Sequence, residues 1–409
     1  MAQLKFVILF IILYVCSLHV QADDSIRVKQ TTPLSDSIAQ VDLPQLVFKK
    51  YLEKRKIDSV ENANKKIYWS VLPAVGSTPA TGFAGLVLIN AAFYTGDKST
   101  TTLSSITTNF TLTAKSQIIL PIRMNIWLKD NKWNLVGDWR FMKYPQATYG
   151  LGGRTPWSNE ELISYSYFKV HQFVLRKVYA KFYSGIGINY DYFFNVKQSG
   201  YKGMGPSPYD LYPYGTGSSS STQGFSMALL WDDRKNTINP IQGGYAMVGY
   251  RINPDWLGNQ NPYHVMLLDV RKYFYVPARK HKNILAFWGY YWAVTQGDPP
   301  YMLLPSNGWD TYAANARGFI QGRYRSKQMI TIEAEYRYRI TRNGLVGGVV
   351  FTNASSFAEV DGRFKYVNPA VGAGLRIKLN KHSQTNIILD FAFGINNNSG
   401  FYADVGELF

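Results

Sequence analysis

Arg317 stands in the tetrapeptide Ala316-Arg317-Gly318-Phe319, within a long loop-like stretch, and its type suits one kind of chemistry. A guanidinium is a planar fork of donors that grips a carboxylate through two parallel hydrogen bonds. The candidate carboxylate is Glu335, in Glu335-Tyr336-Arg337, and the pattern Phe351-Thr352-Asn353-Ala354-Ser355 follows on the next expected strand. Gly318 permits a tight backbone beside the arginine. An Arg317–Glu335 pair in a narrow, partly dehydrated space is a latch, because breaking it strands a charge at roughly 3–5 kcal/mol. A static plug is the competing reading of the same residues.

A second constellation runs Asp232-Asp233-Arg234-Lys235-Asn236-Thr237-Ile238-Asn239-Pro240-Ile241-Gln242-Gly243, a turn of the form D-x-R-x-N-x(3)-P-x(2)-G. Signs of catalysis are weaker. His19, His171, His264, His281 and His382 show no H-x-x-x-H spacing, and no G-x-S-x-G elbow occurs. Tyr149-Gly150-Leu151-Gly152-Gly153 lacks the strand–turn–helix context of a phosphate site. No catalytic residue, metal ligand or cofactor is expected, so the chain reads as a non-enzyme.

The elements that must position these residues are strands. From Ile330 to Ile340, Ile330, Ile332, Ala334, Tyr336, Tyr338 and Ile340 point one way, and Thr331, Glu333, Glu335, Arg337 and Arg339 the other. The same alternation places strands near 67–76, 83–96, 102–115, 117–130, 132–145, 162–178, 179–196, 222–234, 243–256, 261–276, 281–297, 327–341, 345–355, 366–380, 385–396 and 400–409. That is about sixteen, an even number that closes without an edge. Short links (129–132, 176–177, 341–344, 381–384) alternate with long ones (146–161, 197–221, 298–326), as a transmembrane antiparallel barrel requires. By parity, Arg123, Lys129, Asp138, Arg140, Arg376 and Lys378 face the lumen. So many strands enclose more space than wall side chains fill, leaving room for water, a loop or a partner. The expected fold is therefore an all-β transmembrane barrel, with a long inward-folding loop before strand 12; a secreted all-β sandwich, which shows the same alternation, is the alternative.

Address and charge fit that reading. Lys5, the apolar run Phe6 to Val15 and Val20-Gln21-Ala22 form an expected signal peptide over 1–22. The one cysteine, Cys16, leaves with it; a lipoprotein site at Leu13-Tyr14-Val15-Cys16 ranks second because Val15 is bulky. Residues 23–65 form a short periplasmic segment with an amphipathic stretch from Leu43 to Lys56, and 66–409 the barrel. The aromatic share of 15% suits interfacial girdles. The net charge of +17 gathers partly in Lys49, Lys50, Lys54, Arg55, Lys56, Lys65 and Lys66, and in Arg279-Lys280-His281-Lys282. Without a stacking motif or basic helix, nucleic acid is not an expected partner. A solvated rim, acidic lipid headgroups or an acidic protein are the open readings.

The Asp232–Gly243 turn, the Arg317-Gly318-Phe319 loop, Glu335-Tyr336-Arg337, Asn353 and the terminal Phe409, in this order, resemble the barrel of the BamA/TamA superfamily. These bacterial surface-antigen proteins insert or translocate other proteins. The resemblance covers about 67–409 and is densest from Asp232 onward. It implies a loop tucked inside the barrel, with Arg317 on acidic wall residues. Asn353 stands where the family usually has aspartate, and asparagine brings no charge, so the lock is expected to rest mainly on Glu335, with Asn353 accepting from Arg317. The family's periplasmic POTRA repeats do not fit in 23–65, which implies a short member served by a separate periplasmic partner. The resemblance also implies a lateral seam between 67–77 and 400–409, marked by Ile67, Tyr68, Gly400, Gly406 and Phe409, with glycines weakening it. The expected role is protein insertion or translocation by a single barrel in the outer membrane of a Gram-negative bacterium, among its lipids and with client or partner proteins. A passive or loop-plugged channel and an anchor for a surface or secretion complex are the alternatives.

Overall fold

The computed structural model describes residues 40–43, 46, 67–78, 80–201, 203–278 and 281–409. The expected signal peptide, nearly all of 23–65 with its lysine cluster, and Arg279-Lys280 lie outside those residues. Among the described residues, seventeen strand segments make sixteen wall strands, because Gln146–Thr148 continues the strand before it along the same neighbour. These are β1 (Ile67–Thr78), β2 (Gly82–Phe93), β3 (Ser104–Thr113), β4 (Ile118–Trp127), β5 (Trp133–Lys143, continued by Gln146–Thr148), β6 (Glu161–Tyr179), β7 (Phe182–Ser199) and β8 (Ser220–Asp232). The second half comprises β9 (Gly243–Asn253), β10 (Tyr263–Ala278), β11 (His281–Gly297), β12 (Gln328–Arg339), β13 (Val346–Phe357), β14 (Asn368–Asn380), β15 (Thr385–Gly394) and β16 (Ser399–Val405). Each strand pairs antiparallel with the next, from β1–β2 to β15–β16.

Exposure along the strands decides between a membrane barrel and a soluble sandwich. On β12, Thr331, Glu333, Glu335 and Arg337 are buried while Ile330 and Ile332 are exposed. Trp69, Val71 and Val75 on β1 and Phe225, Met227 and Leu229 on β8 are exposed as well. Charge inside and apolar residues outside is the polarity of a cylinder in lipid. The chain is a transmembrane antiparallel β-barrel. One end carries short turns, such as 180–181 and 381–384; the other carries the long loops 200–219 and 298–327.

The cylinder is nearly closed, and its edges overlap. No ladder joins β1 to β16 among the described residues. Leu72 and Ala74 lie on the inward face of β1, and Leu86 and Leu88 on that of β2. They share one apolar cluster with Ile377, Ile387, Leu389 and Val405, which occupy outward positions on β14, β15 and β16. Gly76 faces inward and Ala403 outward, yet a Cβ on Gly76 would stand 3.8 Å from that of Ala403. Two strands meeting edge to edge could not bring opposite faces together, so β1 lies outside β16. Leu43 packs against the same cluster.

The expectation that the last strand runs to the terminal residue is corrected. β16 stops at Val405; Gly406, at φ +106°, turns the chain off the wall and Leu408 and Phe409 are buried in the lumen. The long connection 298–327 folds into the barrel, with Tyr301, Leu304, Ala314, Arg317, Phe319, Arg323 and Arg325 all buried.

The overlap makes a direct prediction. Gly76→Cys with Ala403→Cys places two Cβ atoms inside the roughly 3.5–4.5 Å window of a disulfide. The pair should oxidise spontaneously without reductant, detected as a mobility shift of the unheated barrel. A pair that stays reduced under an oxidant would contradict the overlapped seam.

Candidate functional site

The site is built where the inward loop meets the inner wall. Gly318 adopts φ +93°, and a Cβ there would collide with Ala370, so only glycine lets the loop lie this close to β14. Tyr402 of β16 accepts a hydrogen bond from the Gly318 amide at 3.0 Å, and its hydroxyl lies 3.1 Å from the Ala316 carbonyl oxygen. Phe319 is buried against Tyr324, with ring centroids 5.8 Å apart. The loop is also tied to the far wall. Arg140 of β5 donates to the Asp310 carbonyl at 2.8 Å, and Tyr144 to Gln321 at 2.5 Å.

Arg317 is the centre of this arrangement. It donates to Asp390 of β15 at 2.8 Å and contacts both Glu333 and Glu335 of β12. Its guanidinium lies 3.7 Å from the centroid of the Phe351 ring on β13, a cation–π contact. Glu335 also accepts from Arg337 at 2.6 Å, and Arg337 lies 3.8 Å from Glu407 of the tail. Glu407 accepts from Arg376 of β14 at 2.9 Å, and Arg376 donates to Asp390 at 2.5 Å. Arg317, Glu335, Arg337, Glu407, Arg376 and Asp390 thus form a closed ring of alternating charge. The ring joins the loop, three wall strands and the tail; Arg337 also donates to the Phe409 main-chain oxygen at 3.1 Å.

The sequence-based expectation for this ring is partly revised. Arg317, Gly318, Phe319, Glu335, Arg337 and Asn353 do converge, but the lock does not rest mainly on Glu335. Asn353 does not accept from the Arg317 guanidinium; its amide donates to the Arg317 carbonyl oxygen at 3.0 Å. The charge absent at position 353 is supplied from β15 by Asp390, the one carboxylate of that strand. Glu333 is in view on the polar face of Ile330–Ile340, but sequence reasoning misses its part in the lock.

The Asp232–Gly243 turn forms a second structure at the short-turn end. Arg234 grips Asp232 through two hydrogen bonds, at 2.9 and 2.8 Å, and lies 4.4 Å from the Tyr245 ring centroid. Asn236 accepts from the amides of Ile238 and Asn239 and donates to the Ser383 carbonyl at 3.1 Å. Asn239 donates to the Gln384 carbonyl, and Ile238 packs with Ala92, Leu103 and Tyr68. The Glu407 amide donates to the Ile238 carbonyl at 3.0 Å. Pro240 is buried, and Gly243, at φ +104°, sits where a Cβ would press on the Asp233 carbonyl. This turn therefore spans the mouth and touches both flanks of the seam.

Of the expected seam residues, Ile67 and Tyr68 lie on β1 and Gly400 on β16. Tyr68 stacks on His382 of the 381–384 turn at 5.8 Å between centroids. Gly406 marks the inward turn, and Phe409 stacks on Trp288 in the lumen at 5.3 Å, away from the seam. Beneath the loop lie two cavities. One, about 250 Å³, is lined by Asp138, Lys169, His171 and Arg251 among others; the other, about 210 Å³, lies behind the overlap beside Gly76, Arg123 and Asp404.

No family model matches the sequence, and no curated protein matches it. Among solved structures, the chain is similar to BamA from Haemophilus ducreyi lacking POTRA domains 1–3, with TM-score 0.52 and 12% identity, covering 84% of this chain and 69% of that one. It is also similar to CdiB from Acinetobacter baumannii, with TM-score 0.53 and 10% identity, covering 84% of this chain and 60% of that one. Both are outer-membrane barrels, and at such identity the likeness is one of fold.

Two substitutions separate the parts of the lock. Arg317→Ala leaves three carboxylates facing one another and should lower stability by roughly 3–5 kcal/mol, read as a drop in the temperature at which the unheated barrel loses its compact mobility. Asn353→Asp removes a donor and sets a carboxylate against a carbonyl oxygen. It should destabilise by roughly 1–3 kcal/mol in the same assay, where a direct guanidinium partner would instead strengthen.

Proposed function

We propose that this chain acts in the insertion or translocation of proteins at the outer membrane of a Gram-negative bacterium, with a separate periplasmic partner and without a catalytic step. The observation that carries the reading is the seam. β1 and β16 share no ladder among the described residues, so each keeps an edge whose backbone groups another strand can pair. Unpaired backbone in hydrocarbon costs several kcal/mol per group, which favours any strand that covers it. The BamA/TamA resemblance, with its seam and inward loop, supports the same role. On this reading the short-turn end is periplasmic, and the turn 233–242 and the ionic ring hold the seam shut between clients.

The experiment uses the Gly76→Cys, Ala403→Cys double variant in phosphatidylcholine vesicles, with an unfolded outer-membrane barrel as the probe client. The reduced variant should speed folding of the client; the oxidised variant, its seam linked by the disulfide, should not, and reductant should restore it. Equal rates in both redox states would remove the seam from the mechanism. The filled lumen favours a plugged channel over an open one as the second reading. In planar bilayers the native chain should stay near closed and Arg317→Ala should give steps of conductance. If the native chain shows large steady steps, the channel reading wins.

A further inference from the structure

The lipid-facing positions described on β1–β4 and β12–β16 carry no basic residue. On the wall opposite the seam, at the short-turn end, they carry two: Arg176 on β6 and Lys272 on β10. Arg176 stands directly across the ladder from Trp133, with its guanidinium 5.5 Å from the ring centroid. Lys132 and Lys177, both exposed, flank it; the Lys177 amide donates to the Lys132 carbonyl at 2.9 Å. The Lys272 ammonium lies 6.0 Å from the Trp231 ring and 5.6 Å from that of Phe274. Gly244, the ladder partner of Lys272 on β9, makes the first contact possible. A Cβ there would stand 2.7 Å from the Trp231 ring, so the indole lies over the glycine toward the lysine.

Neither cation has a carboxylate within ion-pair distance among the described residues. The nearby Asp233 is 3.9 Å from Lys181 instead. Each cation is therefore positioned on an aromatic face but not neutralised. The surrounding surface, with Val178, Phe182, Phe274 and Phe287 exposed, is strand wall where acyl chains lie, which no folded acidic protein can reach. We propose that Arg176 and Lys272 form two slots for the phosphate of an anionic glycerophospholipid, of the phosphatidylglycerol class, in the leaflet at the short-turn end. A basic residue near such a surface favours anionic lipid several-fold, and the aromatic platforms fix where the headgroup sits. This inference stands on the membrane barrel alone and not on the proposed role in protein insertion.

The test places the full chain in phosphatidylcholine vesicles holding a trace of spin-labelled phosphatidylglycerol or spin-labelled phosphatidylcholine. The motionally restricted fraction of each label gives their relative association. Phosphatidylglycerol should associate about threefold or more strongly, and Arg176→Gln with Lys272→Gln should bring the ratio to about one. Lys365→Gln, at the long-loop end, should leave it unchanged. Gly244→Val keeps both charges but displaces the indole, and should lower the ratio, which a purely diffuse attraction would not do. If the double variant does not reach the compact barrel form, each single variant should lose about half of the preference. Equal association of the two labels with the native chain, or a preference that survives removal of both cations, overturns the proposal.

Discussion

Glu333, Glu335 and Asp390 face one another inside a wall that excludes most water, and Arg317 makes that arrangement tolerable. Like charges so close repel strongly in a low-dielectric interior unless a cation stands among them. Arg337 and Arg376 complete the compensation, and Glu407 brings the tail into it. From this one requirement follow the depth of the loop, the glycine at 318, and the departure of the tail from the wall at Gly406. Were Glu407 to continue the alternation of β16, its carboxylate would face lipid; turned inward, it meets two guanidinium groups. Elsewhere the lumen repeats the motif on a smaller scale. Asp138 with Arg140 and Asp269 with Arg271 pair two positions apart on one strand face, and Asp232 pairs with Arg234 where β8 runs into its turn.

Much of this is open to reading from the residues. Alternation gives sixteen strands to within a few residues, because a lipid-facing wall keeps the pattern through most of each strand, with register shifts confined to positions near strand ends. The acid–x–arginine pairs are legible for the same reason, since period two puts both side chains on one face. Arg317 and Glu335 can be matched through their types. Asp390 cannot be matched so readily: its contact crosses 73 positions of chain, and parity places it in the lumen without saying which arginine it meets. The overlap at the seam leaves no trace in the pattern either. Alternation tells which face of a strand is wet, but not how two free edges come together.

The tail shows the limit of the same rule. Val405 is the last residue that obeys the wall's period, and a single glycine at φ +106° cancels it. Alternation alone extends the strand to Phe409 because nothing in the terminal residues themselves forbids pairing. What forbids it is tertiary: the pull of Arg376 and Arg337 on Glu407, and an aromatic berth for Phe409 on Trp288. Local propensity lost to buried charge.

A hoop closed by overlap behaves unlike one closed by a weld. When two ends slide along each other, the girth of the hoop changes while the covered length merely shortens. With β16 inside β1, swelling of the cylinder draws on the apolar patch formed by Leu72, Leu88, Ile387 and Val405 before either rim is bared to the acyl chains. The small residues Gly76 and Ala403 keep that sliding surface smooth at its closest approach. The barrel therefore has slack in its circumference, and the slack is stored on one side only.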